Sequence, residues 1–235
     1  MPDTRSSLHQ QLDEVQRDLI RLAGRVTETI SWGTEVLLTL DLEGAQRMID
    51  GDDEIDTLAL DIEEHCFTLL ARQQPMAGDM RAIVTAIRLT SEIERSGDLM
   101  VNVAKAARRI YGSSIPVGLR SLLTAMAEQA VRLYKLAMDA YADGDANLAA
   151  ALDDMDDRLD QLHEDYIQTL LELPADEQDV QVAVQLALVG RYYERIGDHA
   201  VNIGERVRYM VTGWMPEHTG VARLAAKRAE PREIP

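Results

Sequence analysis

From Leu8 to Leu40, apolar side chains recur in steps of three and four through Leu12, Val15, Leu19, Leu22, Val26, Ile30 and Leu37. That period is the signature of a long amphipathic helix with a narrow apolar seam. Asp41 stops this helix and can cap a second one, predicted over 42–71 with Met48, Ile55, Leu58, Ile62 and Leu69 on its apolar face. Residues 72–78 contain Pro75 and Gly78 and read as a turn, and Asp79 suits the N-cap of a third helix ending near Tyr111. Gly112-Ser113-Ser114-Ile115-Pro116 is the most linker-like stretch of the chain.

The second half repeats this plan. A fourth helix is predicted over 117–141, a turn at Asp143-Gly144-Asp145 with Asp145 as cap, and a fifth helix over 146–173. Pro174-Ala175-Asp176 breaks it, and a sixth helix runs over 177–212. No segment alternates with the period of two that a strand requires. The predicted fold is therefore all-α: six helices forming two tandem, pseudo-symmetric, antiparallel three-helix bundles. The first bundle covers residues 1–112 and the second 113–216. Past Gly213-Trp214-Met215-Pro216 the polarity rises and the pattern fades, which predicts a mobile tail over 217–235.

Composition narrows the function classes. Only 4% of the 235 residues are aromatic, with a single Phe, which favours helix over sheet. The 41 acids against 24 bases give a net charge of −17. Nucleic acid and anionic lipid repel such a chain, whereas hard cations and basic protein surfaces attract it. The single cysteine, Cys66, has no internal disulfide partner and reads as a small core residue. With no secretory signal, the expected compartment is the cytoplasm. No apolar run reaches the roughly 18–20 residues of a membrane span, so direct membrane insertion is not expected.

The candidate chemistry lies in a segment that occurs twice. Glu94-Arg95-Ser96-Gly97-Asp98-Leu99-Met100-Val101-Asn102 is echoed by Glu194-Arg195-Ile196-Gly197-Asp198-His199-Ala200-Val201-Asn202. On a helix, Glu94 and Asp98, and likewise Glu194 and Asp198, share one face with Cβ atoms about 5–6 Å apart. The apolar seam of the third helix runs Ile83, Ile87, Thr90, Glu94, Gly97, Val101, Ala104, so the Glu stands in the core-facing stripe. The sixth helix repeats the arrangement. The glycines cost roughly 1 kcal/mol each in a helix interior, which suggests a close approach to the backbone. Facing acids come from Asp52-x-x-x-Asp56 on the second helix and Asp156-x-x-x-Asp160 on the fifth. Each set begins eleven residues after its cap. Folded about Pro75, Asp56 and Glu94 meet at one level, each nineteen residues away from it. The match about Pro174 is looser, with Asp160 fourteen residues before it and Glu194 twenty after.

Each bundle thus presents four carboxylates on two facing helices. Crowded, core-facing carboxylates need a cation between them or a proton on one. Chance alone gives roughly seven acidic i,i+4 pairs in a chain this acidic, most of them solvated; recurrence at matching positions is what favours metal. Oxygen donors suit Mg, Mn, Ca or oxidised iron, and imidazole biases a site toward iron or zinc. His163, one turn after Asp160, and His199, beside Asp198, are candidates for the metal or its surroundings, as are Asn102 and Asn202. Arg95 and Arg195 read as structural. No nucleophile–base arrangement and no phosphate-cradling glycine loop is visible. No histidine follows a Glu by three residues as ferritin-like di-iron sites require. A non-enzymatic adaptor is therefore the leading expectation. The rivals are a multinuclear-metal enzyme, acting as an oxidase or phosphate-ester hydrolase, and a purely structural helical scaffold.

At these residues the chain resembles the PhoU family of phosphate-uptake regulators. The resemblance spans about residues 5–215. It rests on both Glu-Arg-x-Gly-Asp segments with their trailing Asn102 and Asn202, both Asp-x-x-x-Asp segments, and Gln73-Gln74-Pro75 followed by Asp79-Met80-Arg81. It implies two three-helix bundles, a dimerising cytoplasmic protein, and metal, Fe or Zn ahead of Mg or Mn. By position, the ligands would be Asp52, Asp56, Glu94 and Asp98, then Asp156, Asp160, Glu194 and Asp198. The partners it implies are a phosphate ABC transporter's ATPase subunit and a sensor histidine kinase, with repression of phosphate-starvation genes when phosphate is plentiful. The second bundle lacks the Gln-Gln-Pro turn, and Leu99 stands where His199 does, so the two sites need not be equivalent. The tail with Arg223, Lys227 and Arg228 matches no feature of the family.

Overall fold

The computed structural model describes residues 4–73, 75–173 and 179–215; the expected tail over 217–235 and the break at Pro174 lie outside them. Among the described residues every regular element is helical: α1 Thr4–Thr39, α2 Leu42–Asp50, α3 Asp52–Gln73, α4 Ala77–Arg109, α5 Val117–Asp143, α6 Ala146–Leu171 and α7 Val180–Thr212. These seven segments make the six expected rods, because α2 and α3 are one predicted helix interrupted at Gly51. There the Gly51 N–H still reaches the Arg47 carbonyl at 3.0 Å, while the Glu54 N–H turns to the Gly51 carbonyl at 3.3 Å. The interruption is a local tightening of the helix. It puts Asp52, Asp53 and Glu54 in the first turn of α3, where the helix dipole favours negative charge.

The turns follow their residue chemistry with one adjustment. Asp145 caps α6 as expected, its carboxylate accepting the N–H groups of Asn147 and Leu148. Gly144, with φ 64°, ends α5 in the left-handed region that glycine enters without strain. Asp79 is not the cap of α4. That helix begins at Ala77 after Met76, and the Asp79 carboxylate stands in its first turn, 3.4 Å from His9 Nε2.

The rods assemble as α1, α2–α3 and α4, then α5, α6 and α7. The two bundles meet where α4 packs on α7 and α1 on α5. One continuous hydrophobic core runs through both. Tyr134 and Tyr193, both fully buried, carry polar tips into the contact between bundles. Tyr193 OH lies 2.6 Å from Thr34 Oγ1 of α1, and Tyr134 OH of α5 donates to Ser96 Oγ of α4. Buried tyrosines keep stability only when the hydroxyl is satisfied, and both are. Cys66 is fully buried, and burial pushes its thiol up to about 12, in keeping with a core role. No helix among the described residues is long and apolar enough to cross a membrane.

Candidate metal centre

The apolar seam of α4 brings Glu94 to a half-buried position in its middle, flanked by buried Thr90, Gly97 and Val101. From α3, Asp52 is half-buried and Asp56 exposed; Asp98 completes the group from the exposed edge of α4. The four carboxylates lie within electrostatic reach of one another. Burial first, then Asp56 and Asp98, push Asp52 up to about 6, against some relief from Lys105. Burial, Asp98, Asp56 and then Asp52 raise Glu94, with Arg95 working the other way. Asp56 is raised by burial and by Asp98 and Asp53. Asp56 and Glu94 share one cavity of about 240 Å³ with Glu63, Thr90 and Ser91. The level match about Pro75 is therefore realised.

The second face is tighter. Asp156 on α6 is only 9% exposed, and burial, then Asp160 and Asp198, push it up to about 7. Its Oδ1 sits where a Cβ on Gly197 would come within 2.4 Å, so the glycine is the opening through which Asp156 reaches α7. Gly97 has no such role: a Cβ there would meet only Ile55 and Val26, at 3.5 Å and beyond. The expectation of a close approach thus holds at one glycine of the pair, and the approaching group is a carboxylate of the site itself. Glu194 is paired through Oε1 with Arg191, one turn earlier on α7. His163 packs over Gly190, whose added Cβ would lie 3.3 Å from its Cδ2. Burial and Arg191 lower the His163 pKa, keeping the ring neutral and able to offer a nitrogen lone pair.

Three buried side-chain atoms of the described residues lack any hydrogen-bond partner: Asp156 Oδ1, His163 Nε2 and Glu194 Oε2. All three belong to the α6–α7 face. Buried polar atoms are ordinarily paired, since an orphan costs about 1–3 kcal/mol. Two hard oxygens and a neutral imidazole nitrogen fit a divalent or trivalent cation in chemistry. They are not a ready-made cage, because no three His, Cys, Asp or Glu side chains among the described residues already converge on one point. Holding an ion therefore requires side chains to rotate.

His199 takes another direction. It is 5% exposed and faces the first bundle, with Nδ1 2.9 Å from Ser96 Oγ. Ser96 also donates to the Glu92 carbonyl at 3.0 Å and accepts from Tyr134 OH. A serine has one proton, so this accounting assigns the Nδ1–H tautomer to His199. Burial lowers its pKa in spite of Glu92. Asn202 follows it across, its Nδ2 3.1 Å from Glu92 Oε2, while Asn102 is half-buried on α4. His199 and Asn202 thus serve the joint between bundles. The sequence signal for this joint was present in the repeat: Ser96 replaces the position of Ile196, and His199 that of Leu99, one polar group on each facing helix. Arg191 and Lys105, both electrostatically engaged with the carboxylates or His163, carried no repeat signal.

The paired acidic faces and two packed three-helix bundles define a tandem helical-repeat protein, each repeat bearing its own carboxylate group. The family model of the PhoU domain matches the chain twice, at residues 19–107 and 123–207. The chain is 35% identical over 213 residues to the phosphate-specific transport system accessory protein PhoU homolog 1 of Mycobacterium tuberculosis, covering 90% of this chain and 96% of that protein. The crystal structure of PhoU from Pseudomonas aeruginosa superposes with a TM-score of 0.81 at 30% identity, over 88% of this chain and 99% of the other. The phosphate transport system regulatory protein PhoU from Streptococcus pneumoniae gives 0.82 at 25% identity, over 88% and 98%. This chain belongs to the PhoU family, the accessory and regulatory proteins of phosphate transport.

Proposed function

We propose that the protein is a cytoplasmic, metal-binding regulator of phosphate uptake that works by contact and not by turnover. The observation that carries the metal clause is the set of three orphaned buried atoms on the α6–α7 face, Asp156 Oδ1, His163 Nε2 and Glu194 Oε2. Asp160 and Asp198 complete the second group, and Asp52, Asp56, Glu94 and Asp98 form the first. A bound Fe or Zn ion, or Mg or Mn at the all-oxygen first face, would supply the positive charge that offsets their mutual repulsion. Asp156 reaches α7 through the gap at Gly197, and Arg191 orients Glu194 by pairing with one of its oxygens. The polar joint of Tyr134, Ser96 and His199 keeps the two bundles in register.

In this reading the protein is an adaptor between the ATPase subunit of a phosphate ABC transporter and a sensor histidine kinase. As a homodimer it represses the phosphate-starvation response when phosphate is plentiful. Support comes from the names of its relatives and from a net charge of −17, which steers basic partner surfaces to it at long range. The test is affinity capture with the full chain from phosphate-replete and phosphate-starved cells of its own organism. Co-purification of a transporter ATPase or a histidine kinase in the replete cells is expected. Recovery of neither, under conditions where the bait is abundant and folded, contradicts the adaptor role.

A further inference from the structure

We infer that the C-terminal end of α4 carries a binding site for a compact phosphoryl oxyanion, formed by Lys105, Arg108 and Arg109. These three side chains alone line a cavity of about 350 Å³. The setting is unusual for so acidic a chain, in which 41 carboxylates outnumber 24 cations. None of the three makes an ion pair with a described carboxylate within 4.0 Å. The guanidiniums are held by neutral amides instead. Arg108 donates to Gln46 Oε1 of α2 at 2.8 Å, and Arg109 to Gln185 Oε1 of α7 at 3.1 Å. Gln46 is in turn fixed through Nε2 by Asp50, 2.7 Å away. Lys105 is close enough to Asp52 to lower its pKa, and it is exposed.

Amide anchoring orients a guanidinium without neutralising it, which leaves planar N–H donors and full charge available to an oxyanion. Cations near a helix C-terminus also answer the dipole, and that would account for one or two of them. It does not account for the difference between the repeats. At the matching positions α7 carries Glu205, Arg208 and Tyr209. The triad is therefore particular to the first bundle. Gln46 of α2 anchors Arg108 and Gln185 of α7 anchors Arg109, so the triad is oriented from both bundles. The shared chemistry is a phosphate or diphosphate group with two or more negative charges, free in solution or as a lipid headgroup.

Isothermal titration calorimetry of the full chain with inorganic phosphate and with pyrophosphate tests the free form. Flotation with phosphatidylglycerol-containing vesicles tests the headgroup. Binding in either arm is expected, weakened by roughly tenfold or more in Lys105→Gln/Arg108→Gln/Arg109→Gln. The control Arg17→Gln/Arg21→Gln/Arg25→Gln removes the same charge from α1 and should leave binding within about twofold of the parent. Repetition after chelation separates this site from the carboxylate faces, and equal binding before and after is expected. No binding in any arm, equal loss in both triple variants, or binding that vanishes with chelation overturns the inference.

Discussion

Asp156 Oδ1 occupies the space over Gly197 that a side chain would need, at 2.4 Å from where its Cβ would be. That contact distinguishes the two glycines of the repeated segment. Gly197→Ala forces Asp156 and Leu159 out of place and should destabilise the protein by about 1–3 kcal/mol. Gly97→Ala meets ordinary packing and should be neutral or stabilising by up to about 1 kcal/mol. Urea unfolding of the two variants checks the order; the reverse order would remove Asp156 from the α6–α7 contact.

The raised carboxylates set a pH dependence. Asp156 and Asp52 hold their protons up to about 7 and about 6, against 3.8 for an ordinary Asp. The folded state therefore binds protons that the unfolded chain has released. The stability this contributes is complete below about pH 4 and is lost as pH rises through 6 and 7. His163 and His199 act in the opposite sense. Their lowered values favour the fold above 6.5, and that contribution is lost as pH falls through the folded values. Chelated protein should melt progressively lower between about pH 4 and 7, with no further loss from these two groups above it, and Asp156→Asn should remove the larger part of that slope, gaining about 1–2 kcal/mol at pH 8 after allowance for screening. A flat melting profile for chelated parent protein between those values contradicts the assignment.

The joint between bundles is a hydrogen-bond chain, and its members should not behave additively. Tyr134→Phe removes one donor and should cost about 1–2 kcal/mol. Ser96→Ala strands His199 Nδ1–H and leaves Tyr134 OH only the Glu92 carbonyl at 3.3 Å, and should cost more, about 2–3 kcal/mol. The double variant should cost less than the sum by about 1 kcal/mol or more. Strict additivity in denaturant titrations would show that these hydroxyls act separately.

Much of this was legible in the pattern of apolar positions. The periodicity of Leu8 to Leu40 and its counterparts placed six rods, because a repeating apolar stripe admits few alternatives. The interruption at Gly51 was not legible, since the apolar period of Met48, Ile55 and Ile62 continues across it and hides the change in hydrogen bonding. Folding about Pro75 brought Asp56 to Glu94 because a short turn fixes the level of two antiparallel helices. The spacing about Pro174, fourteen residues to Asp160 and twenty to Glu194, fixed no such level, and Glu194 is found with Arg191 of its own helix. The inward direction of His199 depended on which face of α7 meets α4, a tertiary fact that one helix alone does not contain.

The most direct test of the central claim is elemental analysis of untagged protein joined to its thermal melt. Fe, Zn, Mn or Mg should be retained through gel filtration, with a melting temperature that falls on chelation and recovers on adding metal, and Asp156→Asn/Glu194→Gln should lose the second face's share of both responses while the share of Asp52, Asp56, Glu94 and Asp98 remains. With ligand at about a hundred times its dissociation constant, the stabilisation should be about 2.7 kcal/mol. Protein that holds none of these metals, and whose melting temperature is indifferent to them, would contradict the account.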